Sequence, residues 1–284
     1  MKKLGLILAG GQSKRLFPIE LPKPLLKVDG ESLLHQAIQK LSGFEIRIIS
    51  NAKIAKEIEL AFSEEGLPIP EFAIESEGRD TAAAVGFGLL SGSNMNPDWV
   101  AVLSADQWMR QSSKFLEFLK VVEAEVQKYP EALFVAGSPK SSKAKDSHSQ
   151  FGWIVPKKTR GEKSWPVKLF VEKPKGAKLN QVRARGGLIN AGMFFGNYRT
   201  FVRAYQKHYP EVLNPHFPYA ELKRLPVDKA IFEKFENVRV LPLPLQWEDL
   251  GTWKDWHDLV GKGQGSGGTL LDSKNVLISS DNDM

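Results

Sequence analysis

The chain has 284 residues, 39 Lys and Arg against 33 Asp and Glu for a net charge of +6, 42% hydrophobic residues and no cysteine. That length suits one large domain or two modest ones, and the lack of cysteine excludes a disulfide scaffold, a zinc ribbon, an iron–sulfur cluster and a thiol nucleophile. No apolar run approaches the roughly 18 residues of a membrane span, and no basic stripe interleaved with aromatics marks a nucleic-acid face, so neither partner is expected.

Met1-Lys2-Lys3 followed by Leu4 to Gly11 has the basic start and short apolar run of a signal peptide, but Lys14-Arg15 puts charge where a cleavage region is small and neutral. A buried first strand over Leu4 to Ala9 accounts for the run better, and a cytoplasmic protein is expected. Ser32 to Leu41 carries Leu33, Leu34, Ala37, Ile38 and Leu41 at helical spacing. Glu45 to Ser50 reads as a strand, Ala52 to Phe62 as a helix, Ile69 to Ile74 as a short strand, Thr81 to Leu90 as a small-residue helix and Trp99 to Leu103 as a buried strand. Ser113 to Val126 has an amphipathic stripe of Phe115, Phe118, Leu119, Val122 and Val126.

Strands alternating with helices predict βαβ units, an α/β fold and a mainly parallel sheet flanked by helices. Ligands bind such sheets beyond the carboxyl ends of the strands, here just after Ala9, Ile74 and Leu103. The Ser-rich stretch Ser138 to Ser149, with Lys140, Lys143 and Lys145, reads as a mobile loop. Ala132 to Ala136, Phe151 to Val155, Val167 to Val171 and Leu188 to Phe195 read as strands, the last two antiparallel to each other. Asn197 to Tyr205, Asp228 to Phe235 and Trp253 to Val260 read as helices. Gly261 to Gly268 is a Gly-rich linker, followed by two short strands at Thr269 to Asp272 and Asn275 to Ser279.

Leu8-Ala9-Gly10-Gly11-Gln12-Ser13-Lys14-Arg15-Leu16, with Pro22-Lys23-Pro24 behind it, is neither a Walker loop nor a dinucleotide fingerprint. Its glycine turn still lets backbone N–H groups approach a phosphate or a base edge, and Arg15 and Lys23 add cationic donors. Asp106 follows the buried strand at Trp99 to Leu103, and two carboxylates with phosphates between them suit octahedral Mg²⁺. Asp249 is a candidate for the second, with the cap of the following helix as its other reading. Taken alone, Glu172-Lys173-Pro174 reads first as a surface strand end, and Asp80 or Thr81 as a helix N-cap.

Leu8 to Leu26 resembles the signature of sugar-1-phosphate nucleotidyltransferases. Glu77-Gly78-Arg79-Asp80-Thr81-Ala82 is similar to the segment that marks the mannose-1-phosphate guanylyltransferase branch. Ser104-Ala105-Asp106-Gln107, Phe151-Gly152-Trp153-Ile154, Phe170-Val171-Glu172-Lys173-Pro174, Asn190-Ala191-Gly192-Met193-Phe194, Val227-Asp228-Lys229-Ala230 and Trp247 to Trp253 fall in the family's order. The resemblance covers residues 3 to 280 and implies the family's nucleotide-diphospho-sugar transferase fold, Rossmann-like and mixed. It implies a catalytic domain over residues 1–260, and over 261–284 the linker and the first turns of a C-terminal β-helix.

The roles implied follow residue by residue. Leu8, Ala9, Gly10 and Gly11 receive the nucleotide, together with Gly78, Arg79, Asp80, Thr81 and Asp106. Gly152, Glu172, Lys173, Asn190, Gly192 and Asp228 receive the sugar phosphate. Asp106 and Asp249 hold Mg²⁺, while Arg15, Lys23 and Lys173 are catalytic through the phosphates. The implied reaction joins GTP and mannose 1-phosphate into GDP-mannose with release of pyrophosphate, by direct in-line attack without a covalent intermediate, in a monomer or weak homodimer. Heptose or glucose 1-phosphate, another base, and a non-catalytic nucleotide-sugar-binding subunit are the alternatives. The chain departs from the family at Ser13 (usually Gly), Lys14 (Thr), Asp80 (Asn), Ala83 (Pro) and Gln107 (commonly His). These departures bear on base and sugar identity rather than on phosphate chemistry.

Overall fold

The computed structural model describes residues 1–11, 16, 21–92, 97–109, 112–139, 151–250, 252, 253, 255 and 256. β1 (Lys3–Leu8) is the buried apolar run at the start of the chain. A 3₁₀ turn at Lys23–Leu25 and a small hairpin of β2 (Lys27–Val28) and β3 (Glu31–Ser32) lead into α1 (Leu33–Lys40). Ser32 caps that helix, its Oγ accepting the His35 N–H at 3.1 Å. β4 (Glu45–Asn51) and α2 (Ala52–Glu64) follow, with Asn51 Oδ1 accepting the Ile54 N–H at 3.0 Å. β5 (Glu71–Glu75), α3 (Asp80–Leu90), β6 (Trp99–Ser104) and β7 (Gln107–Met109) come next, then α4 (Ser112–Lys128) and β8 (Leu133–Ser138). The remainder is β9 (Trp153–Pro156), β10 (Trp165–Val171), α5 (Gly176–Ala184), β11 (Leu188–Asn197), α6 (Tyr198–His208), β12 (Val238–Pro242) and β13 (Trp247–Asp249).

A nine-stranded sheet runs in the order β5-β4-β1-β6-β11-β8-β12-β10-β9, with β9 also paired to β11. β5, β4, β1 and β6 are mutually parallel, as are β8 and β12, whereas β11 lies antiparallel between β6 and β8. The sheet is thus mixed, with β10 and β11 running opposite to the other strands and alternate residues of the strands feeding two cores. Ile7, Leu103 and Phe134 pack under α1, α2, α4 and α5, while Leu6, Val102 and Val135 pack under α3 and α6. Full burial of each such side chain contributes about 1.5–3 kcal/mol. A third, smaller apolar cluster of Leu16, Leu26, Val28, Leu33, Trp108 and Leu250 ties the Lys23 segment to β7 and to the end of β13. Among the described residues no helix is long and apolar enough to cross a membrane.

Several expectations need correction. β10 and β11 are not antiparallel neighbours: both pair antiparallel with β9, so they run the same way. Asp228 to Phe235 forms one π-helical turn at Asp228–Phe232 rather than a regular helix. The strand placed at Ile69 to Ile74 begins at Glu71 and ends at Glu75, which brings a carboxylate to its end. β7, β12, β13 and α5 have no counterpart among the expected elements; β7 and β13 have three residues each, and α5 buries only Leu179 and Val182. Trp253, Asp255 and Trp256 are helical. The rest of that helix, the linker and the C-terminal β segment, Arg15, and the Lys140, Lys143 and Lys145 cluster lie outside the described residues.

Candidate active site

The carboxyl ends of β1, β5 and β6 open on one side of the sheet, facing β10, β11 and the two-stranded β7/β13 ribbon across a cavity of about 480 Å³. That is the size of a small-molecule site. Leu8, Ala9, Gly10, Gly11, Gly78, Asp80, Thr81 and Asp106 line one half of it. Gly152, Glu172, Lys173, Asn190, Gly192 and Asp228 line the other, with Lys23 and Asp249 between. Parallel pairing sets the first half: the Ala9 N–H donates to the Ile49 carbonyl at 2.8 Å and the Ala105 N–H to the Leu8 carbonyl at 3.0 Å.

Lys23 is buried at the start of its 3₁₀ turn, and its Nζ lies 2.5 Å from Asp106 Oδ2 and 3.4 Å from Asp249 Oδ1. Ser104 Oγ donates to the other Asp106 oxygen. Burial pulls the Lys23 ammonium down, but the Asp106 and Asp249 carboxylates outweigh it and hold its pKa above the ordinary lysine value. Burial likewise pushes the Asp106 carboxyl up, while Lys23 and Ser104 bring it below the usual carboxylate range. Asp249 is not the cap of the following helix. Thr252 is, its Oγ1 accepting the Asp255 N–H at 3.3 Å while Asp255 Oδ2 accepts the Thr252 N–H at 2.9 Å.

In the second half, Asn190 Nδ2 donates to Asp228 Oδ1 at 2.6 Å, and Asn190 Oδ1 accepts the Gly192 N–H at 2.9 Å. Gly192 sits at φ 65°, a conformation that suits glycine. Burial first, then the nearby Glu172 carboxylate, push the Asp228 pKa up to about 7. A Cβ at Gly152 would stand 2.7 Å from Glu172 Oε2, so glycine there leaves room for that carboxylate. Lys173 pairs with Glu172 at 3.1 Å and keeps 60% of its side chain exposed, a cation at the rim. Its backbone is left-handed, at φ 47°, which costs a non-glycine residue about 1–3 kcal/mol.

Asp80 is left-handed too, at φ 67°, a conformation that Asn and Asp tolerate best among side chains. Its Oδ1 accepts the Thr81 N–H at 2.7 Å, and Thr81 Oγ1 accepts the Val227 N–H at 2.8 Å, so neither side chain caps α3 in the usual way. Arg79 does not line the cavity. It pairs with Glu77 at 2.9 Å instead. Glu75 and Gln107, to neither of which the sequence assigns a role, do line it. Glu75 is buried at the end of β5, with Tyr219 Oη donating to its Oε1. The cue for Glu75 is its place at a strand end just before Gly78; Tyr219 comes from a short 3₁₀ turn and carries no such cue.

Comparison with known proteins narrows what this cavity is. Residues 4–263 match the family model described as nucleotidyl transferase. The chain belongs to the nucleotidyl transferase family. Among curated relatives, the mannose-1-phosphate guanylyltransferase of Escherichia coli is 26% identical over 98% of this chain and 65% of its own length. The alginate biosynthesis protein AlgA of Pseudomonas syringae is 27% identical over 96% of this chain and 62% of its own. This nucleotidyl transferase chain therefore spans somewhat less than two thirds of either relative.

Solved structures share the nucleotidyl transferase fold. A Thermus thermophilus protein described as a mannose-1-phosphate geranyltransferase superposes with a TM-score of 0.78 at 23% identity, covering 92% of this chain and 79% of that one. HddC from Yersinia pseudotuberculosis superposes at 0.61 with 18% identity, over 92% and 99% of the two chains.

Proposed function

We propose that this chain transfers a guanylyl group from GTP to mannose 1-phosphate, releasing pyrophosphate and GDP-mannose. The observation that carries the reading is Lys23 standing between Asp106 and Asp249 at the meeting of the nucleotide and sugar halves of the cavity. Mannose and guanine are preferred over other sugars and bases because the curated relatives are mannose-1-phosphate guanylyltransferases. A buried acceptor at Glu75 also suits the adjacent N–H donors of guanine.

Among the described residues no group of three or more His, Cys, Asp or Glu could hold a metal ion, and the carboxylates that meet at the join of the two halves of the cavity, around Lys23, are Asp106 and Asp249. That pair fits Mg²⁺, which favours one or two carboxylates completed by phosphate oxygens and waters, and which when bound neutralises charge on the phosphates.

The chemistry left to the protein is positioning and charge neutralisation. An oxygen of the sugar phosphate attacks the α-phosphorus, the bond from that phosphorus to the bridging oxygen breaks, and pyrophosphate leaves with the electron pair. Lys173 at the rim holds the attacking phosphate, with Glu172 accepting from sugar hydroxyls. Asn190, oriented by Asp228, and the open face at Gly152 and Gly192 shape the sugar subsite. The glycine turn at Gly10 and Gly11 meets the nucleotide. Lys23, together with Arg15, takes the charge that develops on the departing pyrophosphate, and in the free protein the Lys23 ammonium pairs with both carboxylates.

The test is a matrix of four nucleoside triphosphates against mannose, glucose and heptose 1-phosphates, with and without Mg²⁺, read by pyrophosphate release. Turnover confined to GTP with mannose 1-phosphate is expected. Turnover with another pair reassigns the substrates, and no turnover with any pair rejects catalysis.

A further inference from the structure

We infer that Gln107 is a positioning residue for the sugar phosphate: its side-chain amide holds the Ala191–Gly192 bulge of β11 in the shape that presents Asn190 to the cavity. This rests on the sugar-1-phosphate reading above and gives a role to a residue which that reading leaves without one.

β11 pairs with β8 at Ile189↔Ser138 and Asn190↔Gly137, then again at Phe194↔Val135. Ala191, Gly192 and Met193 therefore stand opposite the single residue Ala136, and the strand bulges into the site. A bulge takes backbone groups out of the ladder, and a buried carbonyl left without a donor costs about 1–3 kcal/mol. Gln107 supplies the donor. Its Nε2 donates to the Ala191 carbonyl at 2.7 Å and, more weakly, to the Gly192 carbonyl at 3.5 Å.

The fit is close. A Cβ at Gly192 would stand 3.1 Å from that Nε2, so the amide packs directly against the bulge. The Asn190 carboxamide holds the bulge as well, accepting the Gly192 N–H at 2.9 Å and donating to Asp228 at 2.6 Å. The bulge is thus held between two side-chain amides, and the second faces the sugar half of the cavity. Gln107 follows Asp106 in sequence and pairs with Asp249 across the antiparallel β7/β13 ribbon. One two-stranded ribbon therefore carries a carboxylate of the Lys23 cluster and also the donor that shapes the sugar subsite.

Gln107 is 6% exposed, and its Oε1 has no hydrogen-bond partner among the described residues. Only the N–H end is engaged, so replacements that keep the volume and alter the donor isolate its role. Gln107→Met removes the donor, Gln107→Glu sets a carboxylate oxygen against the Ala191 carbonyl, and Gln107→His keeps a ring N–H.

The experiment has two readouts. In steady-state pyrophosphate release, the Met and Glu variants are expected to raise KM for mannose 1-phosphate by about tenfold or more while KM for GTP stays within about twofold, with His recovering most of the loss. Amide hydrogen exchange at Gly192, measured without substrate, is expected to quicken in the Met and Glu variants and to stay slow at Ile7 in β1. Both KM values rising together, kcat falling with KM unchanged, or Gly192 exchange unaltered overturns the inference. A wild-type protein inactive with these substrates rejects the substrate reading alone, and Gly192 exchange then decides the role of Gln107.

Discussion

Lys23 reaches Asp106 across 83 residues of chain, its Nζ 2.5 Å from Oδ2, and Asp249 lies 3.4 Å from the same nitrogen. Lys23 thus holds together two carboxylates, one just after β6 and the other at the end of β13, at the centre of the cavity. Asp106→Asn and Lys23→Ala are each expected to lower turnover by about 100-fold or more, the scale of losing one preorganised electrostatic contact. The Asn variant keeps one oxygen to accept from Lys23 and turns its Nδ2 to the Ser104 hydroxyl, which can accept in its place, so its melting temperature should move by only a few degrees. Pyrophosphate release alongside thermal melts checks both, and near-wild-type turnover in either variant removes the role given to the pair.

Gly152→Ala brings a methyl group 2.7 Å from Glu172 Oε2 and 3.3 Å from the Phe170 ring. The carboxylate has to move, and overpacking of this kind costs about 1–3 kcal/mol. KM for the sugar phosphate is expected to rise while KM for the nucleotide does not. Steady-state kinetics with each substrate varied in turn separates the two.

Asp228 titrates in an unusual window, its pKa raised from 3.8 to about 7 by burial and by Glu172. The folded protein keeps a proton there that the unfolded chain releases. Its contribution to stability is therefore complete below 3.8 and is lost as pH rises to about 7. Asp228→Asn keeps an acceptor for Asn190 and removes the titration, so its melting temperature should fall less than that of wild type between about pH 4 and pH 8. Parallel melts across that range decide it, and identical profiles would falsify the assignment.

Tyr219 Oη donates to Glu75 at the nucleotide end of the cavity. Tyr219→Phe should destabilise the protein by about 1 kcal/mol through that lost hydrogen bond. Glu75→Gln turns an acceptor-only group into one that also donates, and is expected to reduce the preference for GTP over ATP by about tenfold, or about 1.4 kcal/mol. Competition between the two nucleotides measures this directly, and an unchanged preference excludes Glu75 from base selection.

Removal of divalent metal with a chelator is expected to abolish turnover and leave the fold in place. The two cores are apolar, and in the free protein the Lys23 ammonium pairs with both Asp106 and Asp249. Circular dichroism and activity on the same sample test this together, and turnover that survives chelation argues against a metal on the Asp106–Asp249 pair.

The alternating half of the fold is legible in the residues because its cues are local. The Leu4 to Ala9 run, the Ser32 and Asn51 caps and the stripe from Phe115 to Val126 depend on neighbours a few positions away. The candidate residues come by another route, from short motifs that fall in the order of the nucleotidyltransferase family. From periodicity and turn chemistry, then, follow an α/β sheet with a site at its strand ends, while the residues proposed to line it rest on the resemblance.

Relations between distant segments come only with the folded chain. β10 and β11 run the same way because β9 lies between them, a pairing set by non-local hydrogen bonds that no periodicity encodes. The three-residue strands β7 and β13 exist because each completes the other, with Trp108 and Leu250 packed in the cluster behind them. That pairing brings Asp249 to Lys23 and Gln107 to Ala191. Glu75 becomes a site residue once β5 is extended by one position and Tyr219 arrives from a distant turn. In each case the deciding energy is burial and hydrogen bonding between groups far apart in the chain, present only once the sheet has closed around the cavity.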